Sequence, residues 1–163
     1  MKSLSVRGIR LDRSTNTPIL TLREEEAPRR QFDIFIGAPE AASISMALED
    51  EVTPRPLTHD LFVLALERLT VTVSRVVLTH VSEGTYFAEM VLTPDGGSET
   101  TVSCRPSDAV AIALRAHCPI YATDDLLDAV AHEVDDDPSS QADEILDEFR
   151  DFIENISPED FSD

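Results

Sequence analysis

Tryptophan is missing from this chain, lysine occurs once, and the two cysteines stand apart from any second ligand. Each shortage closes a class of function. With Lys2 as the only lysine, and 32 acidic residues against 13 lysines and arginines, the formal net charge is −19. Sequence-independent coating of a phosphate backbone draws its affinity from counterion release onto a basic face, and this composition argues against one. A local arginine site or a metal-bridged one stays open. Two tyrosines and seven phenylalanines leave little material for a base-stacking platform. Cys104 and Cys118 form neither a CxxC pair nor a metal cluster, so they read as small buried apolar residues. No apolar run approaches the roughly 18 residues of a membrane-spanning helix. Met1-Lys-Ser-Leu-Ser-Val lacks the apolar stretch of a signal peptide, which leads to the expectation of a cytoplasmic protein with no membrane partner. A paired-histidine metal helix, a zinc knuckle and a P-loop are also missing.

What is present fits a soluble globular protein: 163 residues, 42% hydrophobic and 28% charged, enough for one principal domain with a real core. The acids are unevenly spread. Residues 133–163 carry 13 of them against Arg150 alone. The chain divides into a domain over 1–132, an acidic linker over 133–141 and an acidic amphipathic segment over 142–163. Within the last, Ile145, Phe149, Phe152 and Ile156 recur at helical spacing over Ala142–Ile156. A helix of that length is marginal alone in water, so it is expected to dock on its own domain or on a protein partner.

Alternation and turn residues predict a hairpin, Ser3–Asp12 with Thr17–Leu22, then a short strand Gln31–Ile36. A helix over Glu40–Glu49 follows, with an apolar stripe of Ala41, Ile44, Ala47 and Leu48. A second helix over Leu61–Leu69 has Thr58 as its N-cap and Leu61, Phe62, Ala65, Leu66 and Leu69 as its buried face. Strands Val71–Val81, Thr85–Thr93 and Ser98–Cys104 make a meander expected at the centre of the sheet. Then come a buried helix Pro106–His117, a short strand Pro119–Tyr121, and a last helix Asp124–His132 capped by Thr123. This order lacks regular βαβ alternation and predicts an α+β fold with a mainly antiparallel sheet. An exposed sheet edge makes a homodimer one expectation for assembly.

The chemistry concentrates at two helix starts. Arg105-Pro-Ser-Asp-Ala-Val-Ala-Ile-Ala-Leu-Arg115 passes from four polar, rigid residues to six apolar ones. Pro106 suits the first helical position, and Ser107 and Asp108 can accept from the free amides of the first turn. Arg55-Pro-Leu-Thr-His-Asp60 repeats the design. Free N–H groups and a partial positive charge favour phosphate at such a terminus. Arg55 and Arg105, with Thr58 and Ser107 beside them, supply donors that can hold a phosphodiester. Asp60 and Asp108 would repel that phosphate unless a divalent ion sat between them. Structural capping, with the arginines paired to the carboxylates, accounts for the same residues.

These segments, with Ile36-Gly37, Glu40-Ala41, Ala47-Leu48-Glu49, Pro54–Asp60, Gly84-Thr-Tyr-Phe-Ala88 and Pro119-Ile-Tyr121, resemble the bifunctional nuclease domain over about residues 1–132. The family has bacterial and plant members. The resemblance implies an α+β fold and, from plant relatives, hydrolysis of both DNA and RNA. Certain relatives carry a UVR-type helical hairpin after this domain, a motif from which Ala142–Ile156 departs.

On that resemblance the expected activity is a nuclease assisted by Mg²⁺ or Mn²⁺. Asp60 and Asp108, with Glu40, would hold the ion, Arg55 and Arg105 the phosphate, and His59 would move a proton, its ordinary pKa lying near neutrality. His80, His117 and His132 are expected to be structural. Tyr86, Phe87 and Tyr121 are candidates for base stacking, though strand aromatics more often belong to the core. The alternative is a non-catalytic interaction or regulatory protein whose acidic body and tail bind a protein partner; a small anionic metabolite at the arginine pair is a third option.

Overall fold

The computed structural model describes residues 1–133, which form one compact unit. The linker expected from Val134 onward and the helix expected over Ala142–Ile156 lie outside the described residues. The elements run β1 (Lys2–Leu11), β2 (Pro18–Glu24), β3 (Gln31–Phe35), α1 (Ala38–Leu48), α2 (Thr58–Arg68), β4 (Val71–Ser82), β5 (Thr85–Pro94), β6 (Thr100–Cys104), α3 (Pro106–Ala116), β7 (Ile120–Ala122) and α4 (Asp124–Val130). This is the predicted α+β order. No helix among the described residues is long and apolar enough to cross a membrane.

All seven strands join one sheet in the order β3-β2-β1-β7-β4-β5-β6, antiparallel except for β7 against β4. The meander β4-β5-β6 is therefore one flank of the sheet and not its centre. That place belongs to β7, whose Ile120 pairs with Leu4 on one side and with Val76 on the other. Strand length misled the sequence reading. A three-residue apolar strand hydrogen-bonded on both edges sits deeper than a long strand whose last neighbour faces solvent. The parallel β4–β7 pairing needs a crossover, and α3 supplies the return.

α3 is the central helix. Ala109, Val110, Ala111, Ile112 and Ala113 are all buried, and three alanines in that run let neighbouring backbones come close. It packs against α1, α2, β4 and β5. The apolar stripe of α1 is narrower than its periodicity predicts: Ala41 and Ile44 are buried, while Leu48 is exposed.

α2 differs more. Of its expected buried face only Leu66 is partly covered, and the one buried residue is Val63. Leu61, Phe62, Ala65 and Leu69 are exposed, Leu69 to 70%. Helical periodicity marks an apolar side, but it does not say that the same domain covers it. Thr58 is likewise the first helical residue and not the cap, since Leu57 holds that position.

Leu20 is fully buried, and truncating such a side chain leaves a cavity. Leu20→Ala is expected to cost about 2–5 kcal/mol, and Leu69→Ala to stay within about 0.5 kcal/mol. Urea unfolding of both variants checks this; comparable losses would mean that α2 is covered.

Candidate functional site

Three helices begin at one place. α1 follows Gly37 with Pro39 in its first turn, α2 follows Pro56-Leu57, and α3 follows Arg105 with Pro106 in its first turn. Proline there costs no hydrogen bond, because the first amides of a helix have no partner within it. A cavity of about 670 Å³ lies between these starts, lined by Glu40 and Ser43 of α1, Thr58 and His59 of α2, and Arg105 and Asp108 at α3.

Asp108 is the hub of this cavity. Its Oδ2 accepts from Arg105 Nε at 2.7 Å and its Oδ1 from Arg105 Nη2 at 3.0 Å. His59 Nε2 lies 3.3 Å from the same Oδ1. Arg105 Nη1 also reaches Glu40 Oε1 at 2.9 Å, tying α1 to α3. Burial by itself would raise the Asp108 carboxyl, but the hydrogen bonds from Arg105 and His59 outweigh it and hold the group below its ordinary value. An ionised carboxylate only accepts, so His59 Nε2 carries the proton and donates it to Asp108. In the neutral ring Nδ1 is then the acceptor, and Ser43 Oγ, 2.8 Å away, donates to it.

Gly37 gives this network its room. A Cβ there would stand 2.2 Å from Glu40 Oε2, so any side chain would push the carboxylate away from where it meets Arg105.

Asp60 goes elsewhere. Neighbouring helical residues point about 100° apart, so His59 turns toward Asp108 while Asp60 turns toward Arg115. Its Oδ1 is bonded by Arg115 Nε. Its Oδ2 accepts from the Leu57 N–H at 2.8 Å, completing the helix start. Burial would raise the Asp60 carboxyl as well, and the Arg115 guanidinium and the Leu57 amide reverse that, leaving it below the ordinary 3.8. Arg115 also donates to Ala111 O at 2.9 Å and to Ser43 O at 3.1 Å, so Ser43 touches both halves of the arrangement.

The structure thus brings Glu40, Thr58, His59, Arg105 and Asp108 to one cavity. Ser107 lines an adjoining cavity of about 350 Å³ that shares Arg105. Arg55 is exposed and outside both linings, its carbonyl accepting from Thr53 Oγ1 at 2.6 Å. The expected ion-holding pair of Asp60 and Asp108 is not assembled: each carboxylate is taken up by its own arginine. Among the described residues no group of three or more His, Cys, Asp or Glu is placed to hold a metal ion. The present donor set does not fit the expected Mg²⁺ or Mn²⁺.

Ser43 and Arg115 escaped the sequence reading. Ser43 leaves a faint signal as the polar residue between Ala41 and Ile44 on a buried stripe. Arg115 closes the apolar run of α3, where a cation near a helix C-terminus has an ordinary explanation. His80, Phe87 and Tyr86 have ring partners, and Tyr86 also lines the adjoining cavity. His80 stacks on Phe87 at 4.4 Å, and Tyr86 stacks on Phe32 at 6.2 Å while its hydroxyl donates to Asp33 O. Burial pushes both cysteine thiols up to about 11.

The family model of the bifunctional nuclease domain matches residues 20–135, which includes every candidate residue above. An uncharacterized protein of Mycobacterium tuberculosis H37Rv is 34% identical over 166 aligned positions, spanning 99% of this chain and 98% of that one. A protein of strain CDC 1551 matches to the same extent. The protein of Oryza sativa subsp. japonica called bifunctional nuclease 1 is 28% identical over 116 positions, which span 70% of this chain and 35% of the rice protein.

A carboxyl with a lowered folded-state pKa adds stability above its unfolded value and loses that contribution as pH falls through the folded one. Asp60→Asn is expected to cost about 1–3 kcal/mol at pH 7, because Arg115 keeps a half-paired guanidinium. The gap to wild type should narrow as pH falls below 3.8. Asp108 titrates in both proteins and cancels in the difference. Urea titrations at pH 7, 5 and 3 check it, and a gap independent of pH would mean that packing and not charge is lost.

Proposed function

The chain belongs to the bifunctional nuclease domain family, and on that footing we propose that it hydrolyses phosphodiester bonds in DNA and RNA at the cavity where α1, α2 and α3 begin. The observation that carries this reading is the convergence of three helix starts on the His59–Asp108 pair. Helix amides and Arg105 favour a phosphate there. Three of the five Arg105 donors are engaged by Asp108 and Glu40, which leaves two for phosphate oxygens. His59, with Nδ1 bare, takes a proton from the attacking group, while Asp108 keeps the ring in the productive tautomer and balances the charge it gains. The rice relative's name supports the reaction class.

Electrostatics narrow the substrate. Around Arg105 stand Glu40 and Asp108, and the chain as a whole is at −19. Binding to long duplexes through many phosphates is disfavoured, so short single-stranded segments held at one phosphate are the fitting substrate. The adjoining cavity offers a second contact. Phe35 in its lining is 62% exposed, an aromatic placed to stack a flanking base. It replaces Tyr86 and Phe87 as the stacking candidate, since those rings already have partners.

A second reading rests on the exposed Leu61, Phe62, Leu64 and Leu69 of α2. An apolar helix face left uncovered among the described residues suits a protein partner or a second copy of the chain, with the polar network serving only to hold the helices. Light scattering on wild type and Leu61→Glu tests it, a mass unchanged and monomeric in both removing the homodimer.

Tag-free protein incubated with single-stranded DNA or RNA, with Mg²⁺, Mn²⁺ or EDTA, should cleave, and Asp108→Ala should cleave about 10²-fold more slowly or less. Equal trace cleavage by both would mean contamination and end the nuclease reading. The EDTA arm decides whether an ion takes part. Phe35→Ala should raise KM about 5- to 100-fold, as loss of one stacked base does, with kcat little changed.

A further inference from the structure

Ser43 is the least expected member of the network. A serine inside a helix ordinarily bonds back to a carbonyl one turn earlier or points to solvent. Ser43 does neither with His59 at hand: its hydroxyl crosses from α1 to α2 and donates to His59 Nδ1 at 2.8 Å. The residue is 8% exposed overall and still lines the floor of the cavity. Alanine would have suited the helix better, as it does at Ala41 and Ala42 just before it. Its carbonyl is held at 3.1 Å by Arg115 Nη2, which fixes this turn of α1 relative to α3.

Hydroxyl, imidazole and carboxylate stand in the order that a nucleophilic serine needs: Ser43 Oγ to one ring nitrogen, Asp108 to the other at 3.3 Å. Such triads are recognised by geometry and role and not by chain order or fold. The ring is used in the sense opposite to the familiar serine-hydrolase arrangement, with Nδ1 toward the hydroxyl and Nε2 toward the acid. The proton logic is unaffected. We propose that Ser43 is the nucleophile of this site, with His59 as its base and Asp108 as the orienting acid, and that cleavage passes through a phosphoseryl ester on α1.

This rests on reading the cavity as a phosphodiesterase site, and it replaces water by a side chain in the first step. Ser43 Oγ forms a bond to phosphorus and its proton passes to His59 Nδ1. The bond from phosphorus to the leaving sugar oxygen breaks in line, on the side away from Ser43, and that oxygen takes a proton from water. The hydroxide so formed attacks the phosphoseryl phosphorus from the vacated side. The Oγ–phosphorus bond breaks and Ser43 recovers the proton held by His59. The sum is one phosphodiester and one water converted to an alcohol and a phosphomonoester, with the protein unchanged. Negative charge that develops on the phosphoryl oxygens meets the free amides of α2 and α3 and the two spare donors of Arg105.

The test uses the full chain and two probes. A fluorophosphonate reports an activated serine whatever the natural substrate, with the site read by peptide mass spectrometry. A ³²P-labelled single-stranded oligonucleotide, quenched in a single turnover, reports phosphoryl groups covalently on protein. The expected result is a label on Ser43, lost in Ser43→Ala and at least tenfold slower to form in His59→Gln. Cleavage by Ser43→Ala should fall about 10³-fold or more, with thermal unfolding of each variant as the folding control. Should Ser43→Ala fail to fold, the wild-type label on Ser43 and its slower formation in His59→Gln still decide. Cleavage by wild type with no label, no protein-bound phosphoryl and full activity in Ser43→Ala would overturn the proposal and leave the nuclease reading standing with water as nucleophile. A label on Ser43 with no cleavage of nucleic acid would keep the triad and overturn the nuclease reading. Neither label nor cleavage would overturn both.

Discussion

Three helix N-termini cannot be held side by side without something to absorb their charge. Each carries a partial positive end and amides with no partner inside the helix. Here each first turn supplies one carboxylate: Glu40 on α1, Asp60 on α2 and Asp108 on α3. Asp60 spends itself on its own helix start and on Arg115, and so pins α2 to the end of α3. Glu40 and Asp108 share Arg105 and pin α1 to the beginning of α3. The convergence of the three helices follows from this pairing, and the cavity follows from the convergence.

The same pairing explains how an acidic chain can present a place for a phosphate. Global charge governs long-range approach, whereas the groups within a few ångströms govern what is held once it arrives. Around the cavity the carboxylates are engaged by arginines and by His59. The unsatisfied donors are helix amides and the outer edge of Arg105, whose side chain is 66% exposed. Such a site is built for one phosphate at close range. It is poorly suited to tracking a polyanion.

The sequence discloses most of the fold and part of the site. The buried α3 is legible because six apolar residues follow a rigid polar start, and no other element could absorb them. The convergence of Glu40, His59, Arg105 and Asp108 could be suspected from their helix starts. The parting of His59 from Asp60 could have been read too, since residues adjacent on a helix diverge. Other features lie beyond a linear reading. That α2 exposes Leu61, Phe62 and Leu69 depends on what packs beside it, which periodicity does not report. The central place of β7 depends on pairings with strands more than forty residues away at β4 and more than one hundred at β1. Ser43 looked like an ordinary small residue of a buried stripe, and only its distance to His59 gives it meaning.

The seam made by β7 has a consequence for how the molecule comes together. One antiparallel block comprises β1, β2 and β3, the other β4, β5 and β6, and three residues, Ile120–Ala122, bond the two into one sheet. The amino group of Met1 lies 2.7 Å from Asp124, just past that seam. The first strand therefore waits with an open edge until more than a hundred further residues have been made, and closure carries the entropy of a very long loop. During synthesis the earliest block emerges with a bare rim that only the last part of the domain can cover.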